Sequence, residues 1–417
     1  MKPRTKLQKA VAEQSARLPE LTAWQTSYAI RHCFEHYAVK RQNRHICSHC
    51  GADCGEVGKC PNCGMPLKAI ETRKRKAHFV AYFGVVTTIA DYQVVRYFIC
   101  HAYYRLGEHA EYQISEVVQK WIAPNGKLVV MARPRNMCSW YLDSWVLSSD
   151  LSIRADIDNP AFNINALIVV RPRVTAQIKR NGFNGGNYYG MTPETLFDAI
   201  VNEPKCETLL KAGQLSLLRL CAERPSNLRH FNAMKICIRN NYIIKDAQMW
   251  IDMVNLLEQC GKDTRNAHYL CPTDLKYAHD HWLKKHREIE EKERIKRQRE
   301  DAVKEEDAFR RMKSKYFGIE VTDGTIVIRV LESVMAHVDE GAALHHCVGQ
   351  CHYAMKQNSL ILSATLNGER LETIEIDLAN LKIAQCRGLQ NQTTPYHAQI
   401  LELMTKNLPL IAQRKSA

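Results

Sequence analysis

Two short cysteine pairs, Cys47-Ser48-His49-Cys50-Gly51 and Cys60-Pro61-Asn62-Cys63-Gly64, constrain this chain more than any other part of its sequence. Only nine residues separate them. A C-x-x-C pair lets two thiolates reach one ion from a tight turn. The glycine after each second cysteine gives that turn the backbone freedom it needs. Two such pairs this close together point to a closed, four-thiolate tetrahedral site, which braces a fold rather than running chemistry, and they argue against a redox pair. Cys47, Cys50, Cys60 and Cys63 are therefore the expected ligands of one structural Zn2+. Cys54, His45 and His49 are the spare candidates, and an exchange with Cys54 is the main open point.

The chain carries 16 cysteines in 417 residues, but its N-terminus, Met1-Lys2-Pro3-Arg4-Thr5-Lys6, has no apolar stretch behind it. A disulfide scaffold would be short and would begin with a signal peptide. No apolar run approaches the roughly 18 residues of a membrane span. Reduced thiols in a cytoplasmic protein with no membrane contact are the expectation. The net charge of +14 favours a polyanionic partner, nucleic acid above all. Basic residues flank the cysteine pairs on both sides, at Lys40-Arg41 and Arg44 and at Arg73-Lys74-Arg75-Lys76.

The pattern predicts an α+β multidomain chain. Residues 1–70 read as an N-terminal helix, through about residue 40, followed by the zinc ribbon at 47–63. Residues 71–190 read as a β-rich domain, with dense β-branched and aromatic runs and a hairpin turn at Pro124-Asn125-Gly126. Its aromatics (Tyr97, Phe98, Tyr103, Tyr104, Trp121, Trp140, Tyr141, Trp145) suit core filling, or alternatively a base-stacking sheet. Residues 191–270 read as an all-α bundle opened by Thr192-Pro193, an N-cap before a first-turn proline. Its Cys206, Cys221, Cys237 and Cys260 are expected to be buried small apolar residues. Residues 271–316 alternate Lys/Arg with Glu/Asp at helical spacing and read as a long charged, solvated helix, a spacer. Residues 317–417 read as a small α/β domain, with a strand at 325–330, a helix at 331–339, strands at 360–366, 371–377 and 381–385, and a closing helix at 395–411.

That last segment holds the densest group of reactive side chains. Leu344-His345-His346-Cys347-Val348-Gly349 is followed by Cys351 and His352, and Gln385-Cys386-Arg387-Gly388 echoes it downstream. The strands are expected to bring Glu375, Gln385 and Arg387 together and toward His345, His346 and Cys347. Four readings stay open. The cluster could be a His-activated thiolate with Arg387 stabilising an oxyanion. It could be a metal site drawn from His345, His346, Cys347, Cys351, His352 and Cys386. It could bind phosphate or a nucleotide through Arg387 and His346, or it could be structural.

The Leu-His-His-Cys-Val-Gly run, with Glu372-Thr373-Ile374-Glu375, Gln385-Cys386-Arg387-Gly388 and Asn391, resembles the PcfJ-like family. The core of the likeness covers about residues 320–413. The cysteine ribbon, the strand Gln93 to Arg96 and the helix start Pro272 to Leu275 also look like longer members. The resemblance implies a cytoplasmic protein encoded by a conjugative plasmid, integrative element or phage. It makes Leu344, with His345 or His346, the characteristic pair, and it implies no established activity. The chain departs from the family pattern where Cys351-His352 precedes Tyr353.

These features lead to a zinc-containing, nucleic-acid-contacting accessory protein of a mobile element (conjugation or phage type), with a ligand or catalytic site formed from His345, His346, Cys347, Gln385 and Arg387. One alternative is a Cys/His- or metal-dependent hydrolase or nuclease acting on nucleic acid or nucleotides. The other is a non-catalytic scaffold that docks a partner protein of the mobile element.

Overall fold

The structure is a computed structural model and describes residues 2–55, 58–137, 143–349 and 353–416. It divides into two compact units, Met1–His279 and Asp280–Ala417. Trp140, Tyr141, Cys351 and His352 lie outside the described residues.

The apolar stripe expected to form one helix through residue 40 is two helices and a strand. Helices α1 (Lys6–Ser15) and α2 (Ala23–Cys33) each start with a capping box, Thr5 with Gln8 and Thr22 with Gln25. Pro19 lies between them, and proline cannot donate the helical hydrogen bond. Strands β1 (Tyr37–Arg41), β2 (Arg44–Cys47) and β3 (Lys68–Ile70) then form a small sheet in the order β2-β1-β3, which carries the cysteine pairs.

The main sheet is built from β4 (Lys76–Ile89), β5 (Tyr92–Arg105), β6 (Glu111–Ile122) and β7 (Leu128–Ala132). A small ribbon follows, β8 (Arg135–Met137) with β9 (Asp143–Trp145). Short strands β10 (Ser152–Ile153) and β11 (Leu167–Ile168) complete the edges, giving β10-β7-β6-β5-β4-β11. The turn at Pro124-Asn125-Gly126 links β6 to β7, and Gly126 takes φ +78° there. A Cβ at this position would stand 1.8 Å from Asn202 Oδ1, a side-chain tip that would have to turn away, so it is the backbone conformation that favours glycine.

Strand alternation explains how the sheet is covered. Ala29 of α2 packs with Phe83, Val85, Phe98 and Cys100, and Val11 of α1 with Val94, Trp121 and Val129. After α3 (Ala176–Arg180), helix α4 (Pro193–Asn202) meets the opposite face, where Tyr97 donates a 2.6 Å hydrogen bond to Glu194 and Lys120 pairs with the same carboxylate at 2.8 Å. Tyr97, Phe98, Tyr104, Trp121 and Trp145 are buried, as core filling requires, whereas Tyr103 is half-exposed.

The helical segment follows as α5 (Pro204–Lys211), α6 (Leu215–Glu223), α7 (Phe231–Arg239), α8 (Ala247–Gln259) and the short α9 (Ala267–Leu270). Cys206, Cys221 and Cys237 are buried among them, and Cys260 is half-buried at a helix end.

Helix α10 (Leu275–Lys313) is the long charged helix, about 58 Å at 1.5 Å per residue. Ion pairs such as Arg294–Glu291 and Lys304–Asp301 run along its middle. Its last turns are not solvated. Ala302 and Phe309 are buried with Val334, Val338 and Ala354. Lys313 is only 1% exposed, and its ammonium donates to the carbonyls of Lys356, Gln357 and Ser359 at 2.8–2.9 Å. Three donors meet three acceptors, which is what a buried ammonium needs.

The second unit is an antiparallel sheet in the order β12-β13-β14-β15-β16. Its strands are β12 (Glu320–Thr322), β13 (Ile326–Val330), β14 (Ser359–Leu366), β15 (Glu369–Asp377) and β16 (Lys382–Arg387). Helix α11 (Val334–Leu344) starts three residues later than the sequence pattern suggests, because Ser333 is the N-cap. Helix α12 (His397–Ser416) buries Ile400, Met404 and Ile411 against Ile328, Leu362, Ile374 and Cys386 on one sheet face. The other face carries Ser363 and Thr373 and meets α11.

Candidate functional site

Cys47 and Cys60 head two turns of the same design. In each, the cysteine carbonyl accepts from the glycine four residues on (Gly51 N–H at 2.9 Å, Gly64 N–H at 2.8 Å), and that glycine has φ near +70°. The four sulfurs converge: Cys47 and Cys63 stand 3.8 Å apart, Cys50 and Cys60 3.6 Å, and all four lie within 4.8 Å of one another. Thiolates around a tetrahedral zinc at about 2.3 Å would be about 3.8 Å apart, so the arrangement fits an ion and can hold one. Burial keeps the Cys47 thiol well above its ordinary range and Cys63 at about 11, so an entering cation must displace protons. Cys54 is outside the quartet, its thiol donating to the His45 carbonyl at 3.1 Å. His49 is also outside; its Nδ1 meets the Tyr112 hydroxyl at 2.8 Å.

The ribbon is docked on the main sheet. Ala110 N–H donates to the His49 carbonyl at 2.8 Å, and Gly51 lies so close to Gly107 and Glu108 that a Cβ would fall 2.7 Å from backbone. The neighbouring end of the sheet presents rings to solvent. His78 and Tyr103 are directly opposite in the β4–β5 register and stack with centroids 4.5 Å apart and planes 6° apart. His101, two residues before Tyr103, lies nearly parallel to His78 and contacts it nitrogen to nitrogen at 3.0 Å. Lys74, Arg75, Lys76 and Arg105 are exposed, and Lys76 and Arg105 share a cavity with His78 and Tyr103 that Glu108 and Glu111 also line. The four basic residues also line a cavity of about 540 Å³ between the ribbon and the sheet, which Phe79, itself 42% exposed, shares. Arg41 is committed elsewhere, holding the carbonyls of Thr72 and Lys74.

In the second unit His345 ends α11 in the left-handed conformation, φ +51°, costly for a non-glycine residue. That turn leaves His345 exposed and brings His346 under cover, 7% exposed. His346 Nε2 is 2.9 Å from Thr373 Oγ1, and Thr373 donates to Glu340 Oε1 at 2.8 Å. Thr373 has one proton and spends it on the carboxylate, so His346 Nε2–H must donate. Nδ1 is left as a buried lone pair with no partner among the described residues. Burial lowers the pKa of His346 although the Glu340 charge opposes it, which keeps the ring neutral near pH 7.

The register decides which other candidates join it. Arg387 is directly opposite Thr373 and Gln385 directly opposite Glu375, so both share the His346 face, exposed. Cys347 is exposed in the turn after His346. Cys386 cannot belong to a metal group with His346. Its neighbour across the strands is Ile374, and it packs into the α12 core on the opposite face. There Cys386 donates to Glu372, which also accepts from Thr394 N–H and Oγ1–H and from His397 Nδ1 at 2.6–2.9 Å. Glu372, Cys386 and His397 are close enough to hold an ion, but the carboxylate is already satisfied by four donors.

Sequence reading missed Glu340 and Arg370, and it named Glu372 only within the run that resembles the family. For Glu340 and Glu372 the signal was present as charge at core-facing positions, whereas Arg370 is exposed. Glu340 lies on the α11 stripe between His337 and Leu344, and Glu372 is in phase with Ile374 and Ile376.

No curated protein and no solved structure matches this chain. Residues 249–401 match the family model described as PcfJ-like protein. The match begins earlier than the core likeness read from the sequence and takes in α8 and Pro272 to Leu275, but it does not reach the cysteine ribbon or the strand at Gln93 to Arg96. Over residues 249–401, from α8 into α12, the chain is similar to the PcfJ-like family.

Proposed function

We propose that this protein is a zinc-containing accessory protein of a mobile genetic element that contacts single-stranded nucleic acid through its first unit. The observation that carries the reading is the stack of exposed His78 with half-exposed Tyr103 and His101, with Lys76 and Arg105 beside it and Lys74 and Arg75 in the cavity next to His78. Stacking rings beside a basic rim are the two components of sequence-tolerant strand binding. The net charge of +14 and the PcfJ-like match support it. Zinc in the Cys47, Cys50, Cys60 and Cys63 site would hold the ribbon against this end of the sheet.

Anisotropy of a labelled single-stranded oligonucleotide, titrated across salt, tests the reading. Affinity should fall linearly on log–log axes with added salt. Lys76→Ala should reduce that slope by roughly one, and Tyr103→Ala should weaken binding roughly 5- to 100-fold. Chelating the metal should abolish binding. Absent or salt-insensitive binding to DNA and RNA would sink the proposal.

The buried lone pair of His346 Nδ1 favours a second reading, a hydrolase acting on nucleic acid or nucleotides with His346 as general base, oriented by Thr373 and Glu340. His346→Gln should then abolish turnover at an unchanged melting temperature. A large drop in melting temperature with no activity to lose would leave His346 a structural residue.

A further inference from the structure

The second unit contains a cavity of about 580 Å³ between α11 and the exposed edge of the sheet face that meets it. Its lining joins three guanidinium groups, Arg310, Arg329 and Arg370, to two buried oxygens, of Ser363 and Glu340, that make no hydrogen bond among the described residues. Ser363 is 7% exposed and its hydroxyl has no hydrogen-bond partner among the described residues. Glu340 is fully buried. Arg370 Nε stands 2.8 Å from its Oε2, close enough for an ion pair but off the hydrogen-bond direction, so that oxygen carries no hydrogen bond among the described residues. Leaving a buried hydroxyl unpaired is costly, and a buried oxygen that lacks a hydrogen bond at a cavity marks where a ligand can complete the set.

The chemistry of that ligand follows from the lining. Each arginine meets its own carboxylate through Nε: Arg310 with Glu306 at 2.8 Å, Arg329 with Glu320 at 2.6 Å, Arg370 with Glu340. The terminal amino groups of the three forks are left, among the described residues, for another planar or tetrahedral oxyanion. The sheet register sets Arg329 opposite Ser363 and Arg370 opposite Thr365, so guanidinium and hydroxyl alternate across the strands. Glu340 Oε2, by contrast, is ion-paired with Arg370 but accepts no hydrogen bond among the described residues, so a donor would complete it. An inorganic anion offers none and would fill little of the space. We infer that the cavity binds a nucleoside phosphate, its phosphate on the arginines and Ser363 and a sugar hydroxyl on Glu340. The ligand is either a free nucleotide or the phosphorylated end of a strand. The inference is independent of the ring surface on the first unit.

Calorimetry on the full chain with AMP, adenosine, inorganic phosphate, and 5′-phosphorylated and 5′-hydroxyl oligonucleotides tests it, the oligonucleotides being run on Tyr103→Ala protein to silence the ring surface. AMP should bind and adenosine and phosphate should bind far more weakly. Arg329→Ala, a change at an exposed strand position, should weaken AMP roughly tenfold. Ser363→Ala should raise the melting temperature of the ligand-free protein by about 1–4 °C while weakening AMP, two opposite signs that a purely structural serine would not give. Binding of the 5′-phosphorylated strand alone, lost in Arg329→Ala, would assign the same chemistry to a strand end. Binding of phosphate as tightly as AMP, no binding by any of these at about 5 mM, where even a millimolar ligand would be mostly bound, or an unchanged affinity in both variants would overturn the inference. AMP binding should be untouched by Tyr103→Ala, so either proposal can fail without the other.

Discussion

Single residues in the second unit carry unusual loads. His337 is 3% exposed, its Nδ1 pointing to the Ser333 carbonyl at 2.8 Å and its ring packed edge-on against Phe309. Burial pushes its pKa down to about 4, with the Lys313 charge adding to the effect and the Ser333 carbonyl and Glu306 opposing it. The unfolded chain would take up this proton near pH 6.5, so the unfolded state binds more protons as the medium acidifies. Stability from this group is full above pH 6.5 and is lost progressively as pH falls toward 4, on the order of 3 kcal/mol at most. The melting temperature should therefore drop between pH 7 and pH 5, and His337→Leu should flatten much of that drop. Equal drops in both proteins would show that His337 is not the group responsible; His346, lowered by the same cause, accounts for part of what remains. Neither histidine's setting was legible beforehand. The sequence placed His346 in a reactive cluster, but its tautomer depends on Thr373, 27 residues away, giving its proton to Glu340.

Among the elements, helices were the most legible and their junctions the least. Thr192-Pro193 announces the start of α4, and the charge alternation announces α10. The break at Pro19 and the late start of α11 were set by caps that the apolar stripe does not show. Strand β12, three residues long, is too short for alternation to register. The start of α12 is fastened by Glu372 on β15, which receives Thr394 and His397 as well as the Cys386 thiol. These donors hold the carboxylate below its usual pKa against the opposing cost of burial. Glu372→Gln would turn an amide N–H₂ toward groups that themselves donate. It should cost roughly 2–4 kcal/mol in urea denaturation and raise hydrogen exchange over residues 388–397. A variant as stable as the parent, with unchanged exchange, would show that the carboxylate does not anchor the helix.

Over the whole molecule, helices and sheets are mixed as the pattern indicated, in two compact units. Among the described residues no helix is long and apolar enough to cross a membrane. What the sequence determined by itself is local chemistry at fixed spacing. The two C-x-x-C-Gly turns need only their own backbone to aim two sulfurs each, so the quartet was readable from the chain alone, and so was the PcfJ-like likeness over the residues that the family model matches. Tertiary structure alone decided everything that depends on which strand lies beside which. Adjacent residues on a strand face opposite ways, so Glu372 and Thr373, one residue apart, serve different networks. Cys386 follows the first into the α12 core, while His346 and Arg387 follow the second. The aromatics of β4 and β5 divide in the same way. Composition cannot tell Tyr103 on an open face from Tyr104 in the core, because burial is set by what packs on each face of the sheet, and that is fixed by partners far along the chain.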